Sequence, residues 1–358
     1  MTTEHHDRPK GRVIFIAAAL VVIFAGLKAA APLIDPLLLA VFIAIIAAPA
    51  VGFLMRRRVP DTIAVILVIL LVIAALAGVG MVIGTSIADF SEDIPRYEYL
   101  LTTQSNSLID WLRFQGVRVP EGGVSAMIDA GKIFELVGGL LSSIASMLGD
   151  GLLILFTVLF ILLEASTFSA KYAAMFGDNI TASESRQKFL KTVKNYFVMK
   201  TGISLANGVA VGMLLWILGV GYPVLWGLLA FLLNFVPTIG PLIALLPPAF
   251  LALVDTGPSR AVAVVVGMVI INTISGNVLE PKLLGKGLGL SPLVVFLSLI
   301  IWGWILGPVG MVLSIPLTVT LKVAMDSNPD THWIGTLLGT GRAASEELSA
   351  WQKLSKKV

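Results

Sequence analysis

Phe235-Val236-Pro237-Thr238-Ile239-Gly240-Pro241 interrupts an uncharged, largely apolar run that otherwise extends from Val220 to Val254. Proline has no backbone donor and glycine accepts nearly any backbone geometry, so a helix written through this stretch must break. In hydrocarbon an unpaired N–H or C=O costs several kcal/mol. A broken helix therefore survives only where protein or a water-filled cavity receives the freed groups. Gly307-Pro308-Val309-Gly310 interrupts a second run in the same way. From Thr201 to Leu321 the only charged residues are Asp255, Arg260, Glu280, Lys282 and Lys286. The pattern is that of membrane helices broken in the middle, and such breaks are where transporters place their substrates.

Composition places the whole chain in that class. Hydrophobic residues make up 57% and charged residues 13%, against about 25% charged in soluble domains; mean hydropathy is +0.93. The expectation is an all-α polytopic protein of a bacterial-type inner membrane, with the lipid bilayer as its principal surroundings. The net charge of +3 does not indicate nucleic acid, because the lysines and arginines sit in short segments beside apolar runs, where they orient helices. Without cysteine there are no disulfides, thiolate metal sites or cysteine nucleophiles, and histidine occurs only at His5, His6 and His332. No metal site and no cofactor are expected.

Apolar runs of about 20 residues, the length that crosses roughly 30 Å of hydrocarbon, predict about eight spans. They lie near 13–32, 33–55, 62–88, 146–164, 201–220, 224–253, 261–279 and 292–321. Lys28 and Asp35 mark an outer turn between the first two, and Glu164 is a stop charge for the fourth. Arg8, Lys10 and Arg12 precede the first span and Arg56-Arg57-Arg58 follow the second, so both flanks, and both termini, are expected in the cytoplasm. The segment from Arg8 to Ala31 reads alternatively as a signal peptide ending at Ala29-Ala30-Ala31. The organisation follows: 1–88 holds a cytoplasmic tail and three spans, 89–145 a small helical extracytoplasmic domain, 146–200 the fourth span and a cytoplasmic amphipathic linker, 201–325 a two-hairpin transport core, and 326–358 a cytoplasmic tail.

The two polar insertions differ in charge. Residues 89–145 are acidic and apolar-patterned, with a turn near Gly116 to Gly123 around Pro120. Residues 165–200 are basic, and Lys188, Lys191 and Lys194 share one helix side while Phe189, Val193 and Phe197 follow another. That suits either a helix in the headgroup region or an ordinary solvated face.

An internal repeat appears when 219–248 is laid against 287–316. Both read Gly-x-Gly, Pro, a long apolar run, Gly-Pro, an apolar run, Pro. With the spans counted above, both units start from one membrane side, a parallel pair of helical hairpins.

The residues that carry these features also carry a resemblance. Gly219-Val220-Gly221 through Pro241, then Gly276-Asn277-Val278-Leu279-Glu280-Pro281-Lys282-Leu283-Leu284-Gly285-Lys286 with Leu288-Gly289-Leu290-Ser291-Pro292, then Gly307-Pro308-Val309-Gly310, resemble the autoinducer-2 exporter family, or predicted permeases. The likeness is most specific from about 195 to 322. It implies a secondary transporter of about eight spans, exporting autoinducer-2 in some members and exchanging sodium for protons in others. It also implies homo-oligomers, pentamers among them.

Chemistry missing from the chain narrows the mechanism. Gly285-Lys286-Gly287-Leu288-Gly289 does not have the spacing of a phosphate-cradling loop, and there is no Gly-x-Ser-x-Gly elbow or His-Glu-x-x-His helix. The expectation is no enzyme, with transport driven by a gradient of substrate or of a coupled ion.

The candidate substrate or coupling residues are Asn234, Pro237, Gly240, Pro241, Asn272, Asn277, Glu280, Gly307, Pro308 and Gly310. Glu280 ends a span just before Pro281, and an ionisable group at membrane depth costs about 2.5 to 3.5 kcal/mol on insertion scales. It is either a proton-coupling carboxylate or an interfacial charge paired with Lys282 or Lys286. Asn234 is placed to hydrogen-bond a polyol, whereas Asn207 is more simply a helix–helix contact. The prolines and glycines either expose backbone to a small polar ligand or kink a packed helix. Trp302 and Trp304 stand two apart on different helix sides and serve as packing or interfacial anchors. Three functions stay open: export of a small polar molecule by alternating access, cation/proton antiport, and a non-transporting scaffold displaying 89–145.

Overall fold

The computed structural model describes residues 9–114, 138–139, 142, 151–176, 180–284, 290–326 and 331–340. Its helices are α1 (Pro9–Arg56), α2 (Asp61–Phe114), α3 (Gly151–Phe176), α4 (Ile180–Ile217), α5 (Pro223–Leu233), α6 (Ile239–Thr256), α7 (Pro258–Thr273), α8 (Pro292–Asp326) and α9 (His332–Leu338). α7 runs on through a π-turn at Ile274–Leu279 into a last turn at Glu280–Leu284. The described residues contain no strand. Six helices are long and apolar enough to cross a membrane, and Gly151–Glu164 and Pro223–Leu233 are shorter apolar ones. The chain is therefore an all-α, multi-pass membrane protein. The expected turn at Gly116–Gly123, the Gly285–Gly289 stretch, Arg8 with His5 and His6, and most of the C-terminal tail lie outside the described residues.

The described connections from α1 to α2 and from α4 through α7, and the fold-back within α8, each use a residue with positive φ. Arg58 lies between α1 and α2, Gly219 and Tyr222 between α4 and α5, Thr238 between α5 and α6, Gly257 between α6 and α7, and Gly307 inside α8. No such residue occurs from Pro9 to Arg56. The predicted turn at Lys28 and Asp35 is accordingly absent, and the two spans 13–32 and 33–55 are one helix of 48 residues, about 72 Å at 1.5 Å per residue. Prolines 32 and 36 are accommodated within it, as membrane helices allow. Glu164 likewise does not stop a helix: α3 continues to Phe176, and only its apolar part ends there.

Residues 40–287 form one compact unit. Its centre is the pairing of α4 with α5, and glycines set it. A Cβ on Gly208 would stand 2.6 Å from the Gly227 carbonyl oxygen, and one on Gly227 would stand 3.1 Å from the Gly212 Cα. Gly208-x-x-x-Gly212 thus lets the α5 backbone lie directly on α4, the small-residue packing that membrane helices use in place of a hydrophobic driving force. Trp226, Leu215, Leu225, Val211, Leu251 and Met268 fill the surrounding core.

The second correction concerns 224–253, predicted as one crossing. Here α5 and α6 are the two legs of a hairpin. Tyr222, at the head of α5, donates its hydroxyl to Asp93 of α2 at 2.6 Å, and Asp255, near the end of α6, accepts from Arg96 of α2 at 2.7 Å. The hairpin begins and ends beside the same turn of α2. At about 1.5 Å per residue the eleven residues of α5 reach roughly 16 Å, half a bilayer core. The reversal is at the opening motif: Pro237 cannot continue the helical ladder, Thr238 takes φ 63°, and a Cβ on Gly240 would overlap the Leu233 carbonyl oxygen.

Residues 1–39 and 288–358 form the other compact unit. It contains a hairpin too. Trp302 donates its indole N–H to Thr318 Oγ1 at 3.0 Å, across sixteen positions that a straight helix would separate by about 24 Å. α8 folds back at Gly307, φ 57° and ψ −143°, with Gly303 under Met311 and Gly310 against the Trp302 carbonyl. Ser291, before the first arm, donates its N–H to Leu338 of α9, which follows the second arm. The two hairpins share a plan: the reversing residue lies equally far from the opening proline in each, Pro223 to Thr238 and Pro292 to Gly307.

Candidate functional site

The tip of the first hairpin meets a polar stripe on α4. Lys200, Ser204 and Asn207 recur at helical spacing on one face of an otherwise apolar helix, and all three are buried, Asn207 to 2% exposure. Asn234, at the C-terminus of α5, donates its side-chain amide to Ser204 Oγ at 2.8 Å. From the other side, Asn207 Nδ2 donates to Asn272 Oδ1 and to Ser275 Oγ, each at 3.0 Å. Asn272 is near the end of α7 and Ser275 lies in the π-turn. A π-turn inserts an extra residue per turn and is a frequent functional feature; here it brings Ser275 onto the face that looks at α4.

One turn toward the end of this stripe, Lys200 donates to Glu280 Oε1. The lysine side chain is 6% and the glutamate 28% exposed. Glu280 is therefore an ion-paired group, but its partner comes from α4 rather than from Lys282 or Lys286 nearby in sequence. Phe197 and Phe235 pack edge-on against Phe42, ring centroids 4.8 and 5.6 Å away. They close the space between the ion pair and the hairpin tip with apolar surface.

Two buried oxygens in or beside this cluster have no hydrogen-bond partner among the described residues: Asn207 Oδ1 and Thr201 Oγ1. Buried polar atoms are ordinarily satisfied. These acceptors suit a ligand that brings donors or a bare cation. No group of three or more His, Cys, Asp or Glu side chains able to hold a metal occurs among the described residues.

Of the residues singled out by sequence, the fold brings Asn234, Asn272 and Glu280 each against the same polar stripe of α4, at Ser204, Asn207 and Lys200. Asn277 is exposed and has no side-chain partner among the described residues. Pro237, Gly240 and Pro241 shape the tip, yet the N–H groups of Asn234, Phe235, Val236, Ile239 and Gly240 are all bonded to carbonyls of the hairpin itself. Polarity at the tip comes from the Asn234 side chain. Gly307, Pro308 and Gly310 form the reversal of the other hairpin, in the other compact unit. There Trp302 ties the two arms, while Trp304 is exposed and carries Lys28 Nζ 4.0 Å from its ring centroid. Sequence reasoning missed Lys200, Ser204 and Ser275. Lys200 and Ser204 had a signal: with Asn207 they form a polar stripe at positions i, i+4 and i+7 of an apolar span. Ser275 had none, because a π-turn is not written in the local sequence.

Residues 15–330 match the family described as AI-2E family transporter. The AI-2 transport protein TqsA of Escherichia coli (strain K12) is 36% identical over 91% of this chain and 95% of its own length. The Escherichia coli (strain K12) protein YhhT, whose name gives transport and no substrate, is 34% identical over 96% of this chain and 99% of its own. A transport protein of Haemophilus influenzae, also named without a substrate, is 37% identical over 92% of this chain and 96% of its own. With the family match covering residues 15–330 and relatives 34–37% identical over more than nine tenths of the chain, the protein belongs to the AI-2E family of transporters.

Proposed function

We propose that the chain is a secondary transporter that exports a small polar molecule of the autoinducer-2 kind by alternating access, with the hairpin tip and the α4 stripe as its solute site. The observation that carries this reading is the set of polar contacts that one stripe of α4 makes at the hairpin apex and the π-turn, Ser204 with Asn234 and Asn207 with Asn272 and Ser275. Asparagine amides and serine hydroxyls both donate and accept, which matches a hydroxyl-bearing solute. The Lys200–Glu280 pair closes one end. In this proposal Glu280 is the coupling carboxylate, and its ion pair with Lys200 ties the last turn of the α7 segment to α4. The end of the unit bearing Lys200 faces the cytoplasm in this proposal, in keeping with Arg56-Arg57-Arg58 and the basic 180–200 stretch. A homo-oligomer embedded in the inner membrane is part of the same proposal.

Cation/proton antiport is the second reading, favoured by the unpartnered Asn207 and Thr201 oxygens beside a titratable pair. Purified protein in vesicles separates the two. Efflux of an autoinducer-2-like polyol down its own gradient or a proton gradient supports export. Sodium-driven proton movement without solute supports antiport. A strict requirement for nucleotide hydrolysis in vesicles holding only this chain overturns both.

A further inference from the structure

Where α2 leaves the hydrocarbon it touches both legs of the first hairpin at once. Asp93 accepts from the Tyr222 hydroxyl at 2.6 Å and Arg96 donates to Asp255 at 2.7 Å. Tyr222 sits at φ 59° and ψ 44°, the left-handed region that an aromatic residue rarely adopts and that persists only where neighbours enforce it. Those neighbours are visible: Phe90 stands edge-on to the Tyr222 ring at 5.8 Å, and Trp226 donates to the Gly221 carbonyl at 3.0 Å. At its other end, α5 delivers Asn234 to Ser204. A single segment of α2 therefore fixes both feet of the element whose tip forms the solute site.

We propose that Asp93 and Arg96 form a clasp that holds the hairpin Pro223–Thr256 closed at the α2 end, so that Asp93, Arg96, Tyr222 and Asp255 are positioning residues for transport. Releasing the clasp frees both legs together and opens the tip cluster to that side. The strained Tyr222 backbone favours release once its hydroxyl contact is lost. The inference rests on the tip being the solute site, but its test needs no solute.

The chain has no cysteine, so a single reporter is read without background. Ser204→Cys, at the tip, is labelled with a membrane-impermeant maleimide applied from the α2 side in vesicles of one orientation. Asp93→Asn combined with Arg96→Gln should raise the labelling rate about tenfold, the population shift expected from losing two such contacts in a two-state element. Tyr222→Phe, which deletes one hydroxyl and no charge, should raise it less. Exchanging the ion pair, Arg96→Asp with Asp255→Arg, should return most of the wild-type protection. Val264→Cys, in the core beneath, reports general loosening and should stay unlabelled. Unchanged labelling of Ser204→Cys in both the double variant and Tyr222→Phe overturns the clasp, as does equal labelling of Val264→Cys, which would make these contacts merely structural. Wild-type export in the same variants despite the expected rise in Ser204→Cys labelling would instead overturn the solute-site reading alone.

Discussion

Asn234, at the blunt end of α5, hydrogen-bonds Ser204 of α4 at 2.8 Å, which places the apex of the α5–α6 hairpin on the polar stripe of α4. The depth of the apex is fixed by the close approach of Gly208 and Gly212 to Gly227. The polar contact at the apex and the close helix packing are thereby set by the same pair of helices.

Asn234→Ala and Ser204→Ala should each lower export in vesicles by roughly tenfold while costing little stability, about 0.6 kcal/mol for an average membrane polar contact. Flux and thermal melting in detergent, measured on the same preparations, check this. Melting that collapses with unchanged flux would show that the contact only holds the hairpin.

Lys200→Met leaves the Glu280 charge unpaired within the bilayer, so it should reduce membrane insertion or flux severely. Glu280→Gln should fold and insert but lose the pH dependence of gradient-driven flux. The double variant Lys200→Met with Glu280→Gln should recover insertion and not coupling, because removing both members of a pair costs less than stranding one. Expression level and flux against pH decide it; wild-type pH dependence in Glu280→Gln leaves the pair with no part in coupling.

Glycine variants should separate geometry from chemistry. Gly208→Leu must force α4 and α5 apart and should abolish folding or flux. Gly240→Leu meets the Leu233 carbonyl and should block binding and flux alike. Gly307→Ala faces open space but a backbone geometry reserved for glycine, at a cost of about 1–3 kcal/mol. It should lower the melting temperature more than it lowers flux.

Single cysteines test the hairpin directly. Val224→Cys at the head of α5 and Ser259→Cys just past α6 should be labelled from the same side as Tyr99→Cys on α2, and Ser185→Cys on α4 from the opposite side. Labelling of Val224→Cys and Ser259→Cys from opposite sides would restore a crossing span at 224–253.

The clasp should loosen in alkali. Burial first, and then the hydrogen bond to Asp93, raise the Tyr222 hydroxyl above its ordinary range; burial, helped by the Asp93 and Asp255 charges, raises Tyr97. A group that holds its proton more tightly when folded contributes full stability below the unfolded value near pH 10 and loses it as pH climbs beyond. Stability should be flat from neutral pH to about 9 and fall above about 10, with tyrosinate absorbance appearing late in the folded protein. Tyr222→Phe should remove part of that fall.

The membrane class, the helical content and the positions of both breaks were legible from the sequence alone, because each follows from local physics. Apolar length sets what can cross the bilayer, and Pro237, Gly240, Gly307 and Pro308 state where a backbone cannot stay helical. Asn234 and Glu280 were found because a polar group in hydrocarbon is costly wherever it points. The sequence could not say whether a break is a kink or a reversal. That is decided by what the legs meet, and Tyr222 with Asp93 and Asp255 with Arg96 join residues far apart in the chain. The unbroken α1 was missed for the converse reason: Pro32, Asp35 and Pro36 resemble a turn, yet nothing there takes the positive φ used from α1 to α2, from α4 through α7 and within α8. The pairing of Glu280 with Lys200, and the arrival of Ser275 opposite Asn207, required α4 and α7 to lie side by side, and only tertiary packing places them there.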